Sequence, residues 1–356
     1  MNASTGEVIK QYLEDNNFSL ADLAESSNVS LKTIYRIISD ESKLSYEVAI
    51  GLNKIIPEIS IEFILGYDAK YQIEKNNFLK ENDLTLTKCN ELVSKFHLKK
   101  LYPDWLGDNI SLIKQGITIF GKNRFLNGVL GIDQLQNVAF SKANNNDESV
   151  TKAWLYTTYY ECNDKKDPLA FDNKKFMEEF KNLKKICGIT NFESAVTHML
   201  KFCNECGINF YFRKSIPNAR VKAVTIKDKF GKVYIFMSDL FKCVENMWLA
   251  FIHECIHISK GDLNTKDELL TNSIEINERY VDKLSSEFLL GVDIFDLIRG
   301  VDIDQIYNIS KKSHTPIGLV VEIYRFKFNE YNNSLFNQYL HFFSGKSVDS
   351  LIKNIF

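Results

Sequence analysis

The sequence predicts an α+β protein: an all-α N-terminal helix-turn-helix and helical connector, followed by a small antiparallel sheet and a helical domain built around an HExxH motif. Apolar residues recur at helical spacing through the first forty positions, three short β-rich runs cluster between residues 208 and 237, and the apolar run Trp248-Leu249-Ala250-Phe251-Ile252 leads into His253-Glu254-Cys255-Ile256-His257. At 356 residues the chain is long enough for two or three domains, and 45% hydrophobic with 25% charged residues is ordinary for a globular protein. A formal net charge of −2 gives no global attraction to nucleic acid, so any such binding must be local. The N-terminus lacks a basic and apolar signal, and no apolar run approaches the length of a membrane span. Seven scattered cysteines suit a reducing compartment, so the expectation is a cytoplasmic protein with no membrane partner.

Taken in order, Val8, Ile9 and Leu13, then Leu20, Leu23 and Ala24, mark two helices, and Ser30 is a good N-cap for a third. Leu20 to Ser26 and Leu31 to Ile38 form a helix-turn-helix pattern about a turn at Asn28-Val29, with Ile34 and Ile37 facing inward. Up to Leu65, acidic side chains outnumber the basic set Lys10, Lys32, Arg36, Lys43 and Lys54, a handicap for neutralising phosphates. Lys32, Arg36 and Lys43 are close enough to form a basic rim, and the two readings, DNA binding and protein binding, both stay open. Residues 70–100 mix lysines with Phe78, Leu79, Leu92, Val93 and Phe96, the pattern of amphipathic helices with a solvated charged face. Helical character continues to about Ile189, interrupted by a polar loop at Asn144-Asn145-Asn146-Asp147-Glu148. A helix over Phe192 to Cys206 then leads through Gly207 into strands at Ile208–Phe212, Val221–Lys227 and Val233–Met237, the last two joined by a hairpin at Asp228-Lys229-Phe230-Gly231. Gly261 caps the HExxH helix.

That helix carries the chemistry. Residues i and i+4 share one helix face, so His253 and His257 can both aim a ring nitrogen at one Zn2+ ion. Glu254 lies beside the ion, where it can take a proton from water acidified by the metal. The third ligand is expected downstream at Glu278, because Asp282 four residues on shares its face and can hydrogen-bond a ligand histidine. Glu275 has Arg279 at that spacing, which suits a surface pair. Cys203-Asn204-Glu205-Cys206 has CxxC spacing with nothing to complete a site and suits a core or helix-packing role, and Cys255 is expected to pack on the sheet. His314 is a candidate oxyanion donor beside a surface role, and the aromatic stretch from Phe326 to Phe343 suits core or dimer packing.

On these residues, the segment from Cys206 to Leu290 resembles the ImmA/IrrE family of metallopeptidases, with a zincin-like domain. His253, Glu254 and His257 match the family motif, and Glu278 and Asp282 fall where its second-helix Glu and the following acidic or amide position lie. The sequence departs from the family at Ile256, where a small residue is usual before the second His. It departs again after Thr315–Val321, where Ile323 aligns with an Arg and Arg325 follows two residues on. The N-terminal part resembles Xre-type repressors, and its continuation Glu62–Tyr71 is similar to the end of HigA antitoxins. That resemblance implies base-edge contacts from Leu31, Lys32 and Arg36, and phosphate contacts from Ser30 and Thr33. The implied organisation is helix-turn-helix at 1–71, helical connector at 72–190, metallopeptidase domain at 191–326 and an aromatic tail at 327–356. The implied function is a zinc-dependent site-specific endopeptidase that cleaves a transcriptional repressor in a mobile-element or stress-response circuit, with a DNA operator as second partner and a homodimer as the expected assembly. The alternative is a non-enzymatic HigA-like regulator or antitoxin whose zinc domain senses or stabilises.

Overall fold

The computed structural model describes residues 3–103, 105, 108–129, 135–140, 147–165, 167–261, 271–291, 300–332, 334–342, 350 and 354–355, with the backbone alone at 135–140 and 271–277. The chain divides into two compact units, Met1–Gly131 and Ile132–Phe356. It is an α+β protein, as the sequence predicts.

The first unit is helical: α1 (Thr5–Asp15), α2 (Leu20–Ser27), α3 (Leu31–Ile38), α4 (Tyr46–Ile55), α5 (Ile61–Glu81), α6 (Leu86–Lys95), α7 (Leu98–Leu101), α8 (Asn109–Phe120) and α9 (Lys122–Leu126). Serine punctuates its start. Ser4, Ser19, Ser30, Ser45 and Ser60 each precede one of α1 to α5 in extended backbone and accept a hydrogen bond from a first-turn amide that has no intrahelical partner. Asn28 ends α2 in the left-handed region at φ 56°, a conformation asparagine tolerates, and so turns the chain into α3. Ile9, Leu13, Leu23, Ile34, Ile37, Val48, Leu52 and Ile64 meet in one core. Gly51 lets α4 lie against α2, since a Cβ there would fall 2.4 Å from Ser27 Cβ.

Helix α5 runs unbroken past Tyr71, and one of its lysines departs from the expected solvated face. Lys75 is buried and ion-paired to Asp40, just beyond the end of α3. Tyr71 donates to Asp108, and Thr5 donates to Asp68 at 2.8 Å. Buried polar groups need such partners, so this network fixes α5 against the ends of α1 and α3.

The second unit contains β1 (Leu135–Phe140), α10 (Glu148–Lys165), α11 (Asn173–Phe180), α12 (Phe192–Glu205), β2 (Ile208–Phe212), β3 (Ala223–Asp228), β4 (Val233–Met237), α13 (Val244–Lys260), α14 (Thr271–Leu290), α15 (Ile303–Ser313), α16 (Ile317–Phe328) and α17 (Ser334–Asn337). Its sheet corrects the sequence expectation twice. The strand order is β1-β3-β4-β2, and β2 runs parallel to β4, so the sheet is mixed rather than antiparallel. The β3–β4 pair is a hairpin, set by Gly231 at φ 78° and by Asp228 Oδ1, which accepts from the amides of Phe230 and Lys232, both at 2.9 Å. Strand alternation identifies strands but not their neighbours, and a crossover can place β2 on the far side of β4. The fourth strand, β1, comes from the stretch expected to be helical and pairs antiparallel with β3. The expected loop at 144–148 falls partly outside the described residues, and Glu148 already opens α10.

One sheet face contributes Phe210, Phe212, Ala223, Val233, Ile235 and Met237 to a core shared with Trp248, Phe251, Ile252 and Cys255 of α13. On the other face Tyr159 of α10 packs on Tyr234, their ring centroids 5.0 Å apart. Full burial of a side chain such as Phe251 is worth about 1.5–3 kcal/mol, so the sheet and its aromatics anchor the helix that carries the site. Among the described residues, no helix is long and apolar enough to cross a membrane.

Candidate metal centre

Helix α13 starts after Cys243, packs apolar side chains into the core it shares with the sheet, and ends at Gly261, which takes the left-handed cap conformation at φ 73°. His253, Glu254 and His257 lie in its second half, all buried. Helix α14 runs alongside and brings Glu278 to the two imidazoles. Glu278 Oε2 lies 3.0 Å from His253 Nε2, and Oε1 lies 3.4 Å from His257 Nε2. The two Nε2 atoms are 3.1 Å apart. Among the described residues, this is the only His/Cys/Asp/Glu group with a ligand atom from each within 4.8 Å of the others.

The donor set and its spacing fit zinc. Ligand atoms at about 2.0–2.1 Å from a tetrahedral ion would be separated by about 3.3 Å, close to the distances between these three. Charge points the same way. Burial opposes a positive charge on His253, but hydrogen bonds to Asp282 and Glu278 outweigh it and raise its pKa to about 10. Burial likewise works to raise that of Glu278, and the two imidazoles outweigh it and hold the carboxyl down at about 2. The cluster therefore stabilises positive charge where its three side chains converge, which a bound cation would supply.

Asp282, one turn beyond Glu278, places Oδ1 at 2.8 Å from His253 Nδ1. A proton held there leaves Nε2 with its lone pair toward the cluster. The side chain of Glu275 lies outside the described residues, and among the described ones Glu278 is the α14 carboxylate that meets both histidines. Glu254 points toward the sheet, where its Oε2 accepts a hydrogen bond of 2.6 Å from the hydroxyl of Thr225 in β3. Burial raises the Glu254 pKa, opposed by the two histidines. A cavity of about 100 Å³ opens beside His253 and Glu254, with Ala223, Leu249, Ala250 and Phe326 as apolar wall and Lys222, Asn246 and Ser286 as polar rim. Thr225 was not among the sequence candidates, because its role comes from a strand-to-helix contact that no local pattern encodes.

Other sequence candidates lie elsewhere. Cys203, Cys206 and Cys255 are buried in the apolar core. His314 is an exposed left-handed cap at the end of α15, φ 53°. Arg325 is buried in α16, where it pairs with Glu322 at 2.8 Å and donates to the carbonyl of Tyr331. Glu322 in turn accepts from Asn246 of α13 at 2.8 Å, so this arginine braces α16 against the site helix.

In the first unit, α3 presents Leu31, Lys32, Tyr35 and Arg36 outward, while Ile34 and Ile37 are buried. The hydroxyls of Ser30 and Thr33 lie 2.8 Å apart, and Ser30 Oγ also accepts from the Thr33 amide. Both side chains thus close the start of α3. Tyr35, 55% exposed, belongs to the same outward face, and its i, i+3 relation to Lys32 is the sequence signal for it.

Fold and site together define a helix-turn-helix domain joined to an α+β unit with a cluster of two buried histidines and a partly buried glutamate. A helix-turn-helix family model matches residues 9–64, which span α2, the turn and α3 together with the helices that support them, so the chain carries a helix-turn-helix domain. No curated protein and no solved structure matches the chain significantly.

Proposed function

We propose that this protein is a zinc-dependent peptidase carried on a DNA-binding helix-turn-helix domain, and that it cleaves a repressor protein in a regulatory circuit. The observation that carries the reading is the convergence of His253, His257 and Glu278 with Glu254 on the same helix beside an open cavity. When bound, zinc supplies Lewis acidity that lowers the pKa of water to about 7 and polarises a carbonyl.

The chain's own residues do the rest. His253, His257 and Glu278 hold the ion, and Asp282 fixes the tautomer and orientation of His253. Glu254 takes the proton from the attacking water and passes it to the leaving amine, a task suited to a buried carboxylate whose pKa is raised by burial. Thr225 is a positioning residue, since its hydroxyl fixes one Glu254 oxygen. Burial in the cavity limits competing water and strengthens each of these interactions. The repressor as substrate comes from the resemblance to ImmA/IrrE peptidases, and the DNA operator from the helix-turn-helix domain.

The test is zinc analysis of the purified full-length chain. It should hold about one zinc per chain, and His253→Ala or His257→Ala should remove most of it. Unchanged zinc in both variants would refute the site.

A further inference from the structure

The sheet edge nearest the site is already taken. β3 is the strand that serves the HExxH helix: Thr225 holds Glu254, and Ala223 lines the cavity together with His253 and Glu254. An extended substrate bound as an added strand would lie along the outer edge of β3. That edge carries β1, paired antiparallel with Val138 opposite Ile226, Ala139 opposite Thr225 and Phe140 opposite Val224. The chain is fixed again at Asp147, whose amide donates to the carbonyl of Asn218 at 3.3 Å. One anchor lies beside each end of the Asn218–Val224 stretch, and that stretch contains the cavity residues Lys222 and Ala223.

We propose that residues 135–140 are an intramolecular ligand of the β3 edge, and that an extended peptide substrate binds only when this strand leaves. The pairing stands on the sheet alone; the meaning of the edge rests on the peptidase reading. The contacts are of the kind a peptide would make, a main-chain ladder that tolerates many side chains. Covalent attachment raises the effective concentration of the resident strand at this edge above that of a free peptide, so a free peptide of similar affinity loses the competition. A partner protein that draws β1 away would open the site.

The test uses the zinc-loaded full chain. Phe140→Cys with Val224→Cys places two thiols at opposed positions, and oxidation followed by peptide mapping should find the 140–224 disulfide. Val138→Pro with Ala139→Pro breaks the ladder, because amides alternate in direction along a strand and one of the two neighbours must point at β3. The probe is a fluorescein-labelled peptide of the β1 sequence, Leu-Gln-Asn-Val-Ala-Phe, followed by anisotropy. The proline variant should bind it about tenfold or more tightly than the wild type, and the disulfide-locked form should not bind it until reduced. Cleavage of a co-expressed repressor, dependent on Glu254, should rise in the proline variant by a similar factor.

Failure of the disulfide to form, or equal peptide binding by wild type and proline variant, would overturn the proposal. A Glu254-dependent cut within residues 135–140 would also overturn it, by making the strand a substrate. A persistent binding difference with no cleavage by any form would support the intramolecular ligand and refute the peptidase reading, so the two failures are distinguishable.

Discussion

Asp282 Oδ1 stands 2.8 Å from His253 Nδ1, and the same imidazole turns its Nε2 toward Glu278. The pair links the two helices of the site at the atom that decides which tautomer His253 adopts. Removing the carboxylate leaves the three ligands in place but frees the ring. Asp282→Ala is therefore expected to weaken zinc binding by about 10–100-fold, with a smaller loss for Asp282→Asn, which keeps an acceptor. Competition against a chromophoric chelator measures this directly. An unchanged affinity in Asp282→Ala would show that the contact does not orient a ligand.

The proposed metal site takes Glu278 as its third ligand and leaves Glu275 out. Glu278→Ala should lose most of the bound zinc while Glu275→Ala retains it, as read by metal analysis of each purified variant. The reverse pattern would place the wrong face of α14 against the histidines.

Much of this site was legible because it is helical. The i, i+4 relation that joins His253 to His257 also joins Glu278 to Asp282, and a fixed helical period converts such spacing into geometry. The inward Ile34 and Ile37 and the turn at Asn28 were legible for the same reason. What escaped depends on contacts between distant segments. Nothing local in Ile208–Phe212 selects β4 as its parallel neighbour, and nothing in Leu135–Phe140 marks it as the partner of β3. Lys75 looked like one of several solvated lysines until Asp40, thirty-five positions earlier, closed on it. The hydroxyl that holds Glu254 was hidden for the same reason, since Thr225 is an ordinary strand residue in sequence.

On the recognition helix, Lys32→Ala and Arg36→Ala should each weaken operator binding by about 1–3 kcal/mol if they meet base edges, while zinc content stays constant. Tyr35→Ala should weaken it as well, because its exposed ring belongs to the same outward face. Acidic residues dominate this domain, and Glu41 shares the surface depression of Lys32 and Arg36. Few phosphates are then neutralised, and the salt dependence should be shallow. Mobility-shift titrations of the full chain at several salt concentrations test both points. A steep slope would move the DNA contacts to the lysines of α5 to α7. Loss of repressor capture, with no change in DNA binding, would make α3 a protein-docking face.

The central claim is that Glu254 moves the proton in peptide hydrolysis at a metal site it does not help to build. The direct measurement is cleavage of a co-expressed repressor encoded nearby, by the wild type and by Glu254→Gln, with zinc quantified in both proteins. The expected result is repressor fragments with the wild type alone and equal zinc in the two. The same fragments from a zinc-loaded Glu254→Gln protein, abolished by a chelator, would contradict it.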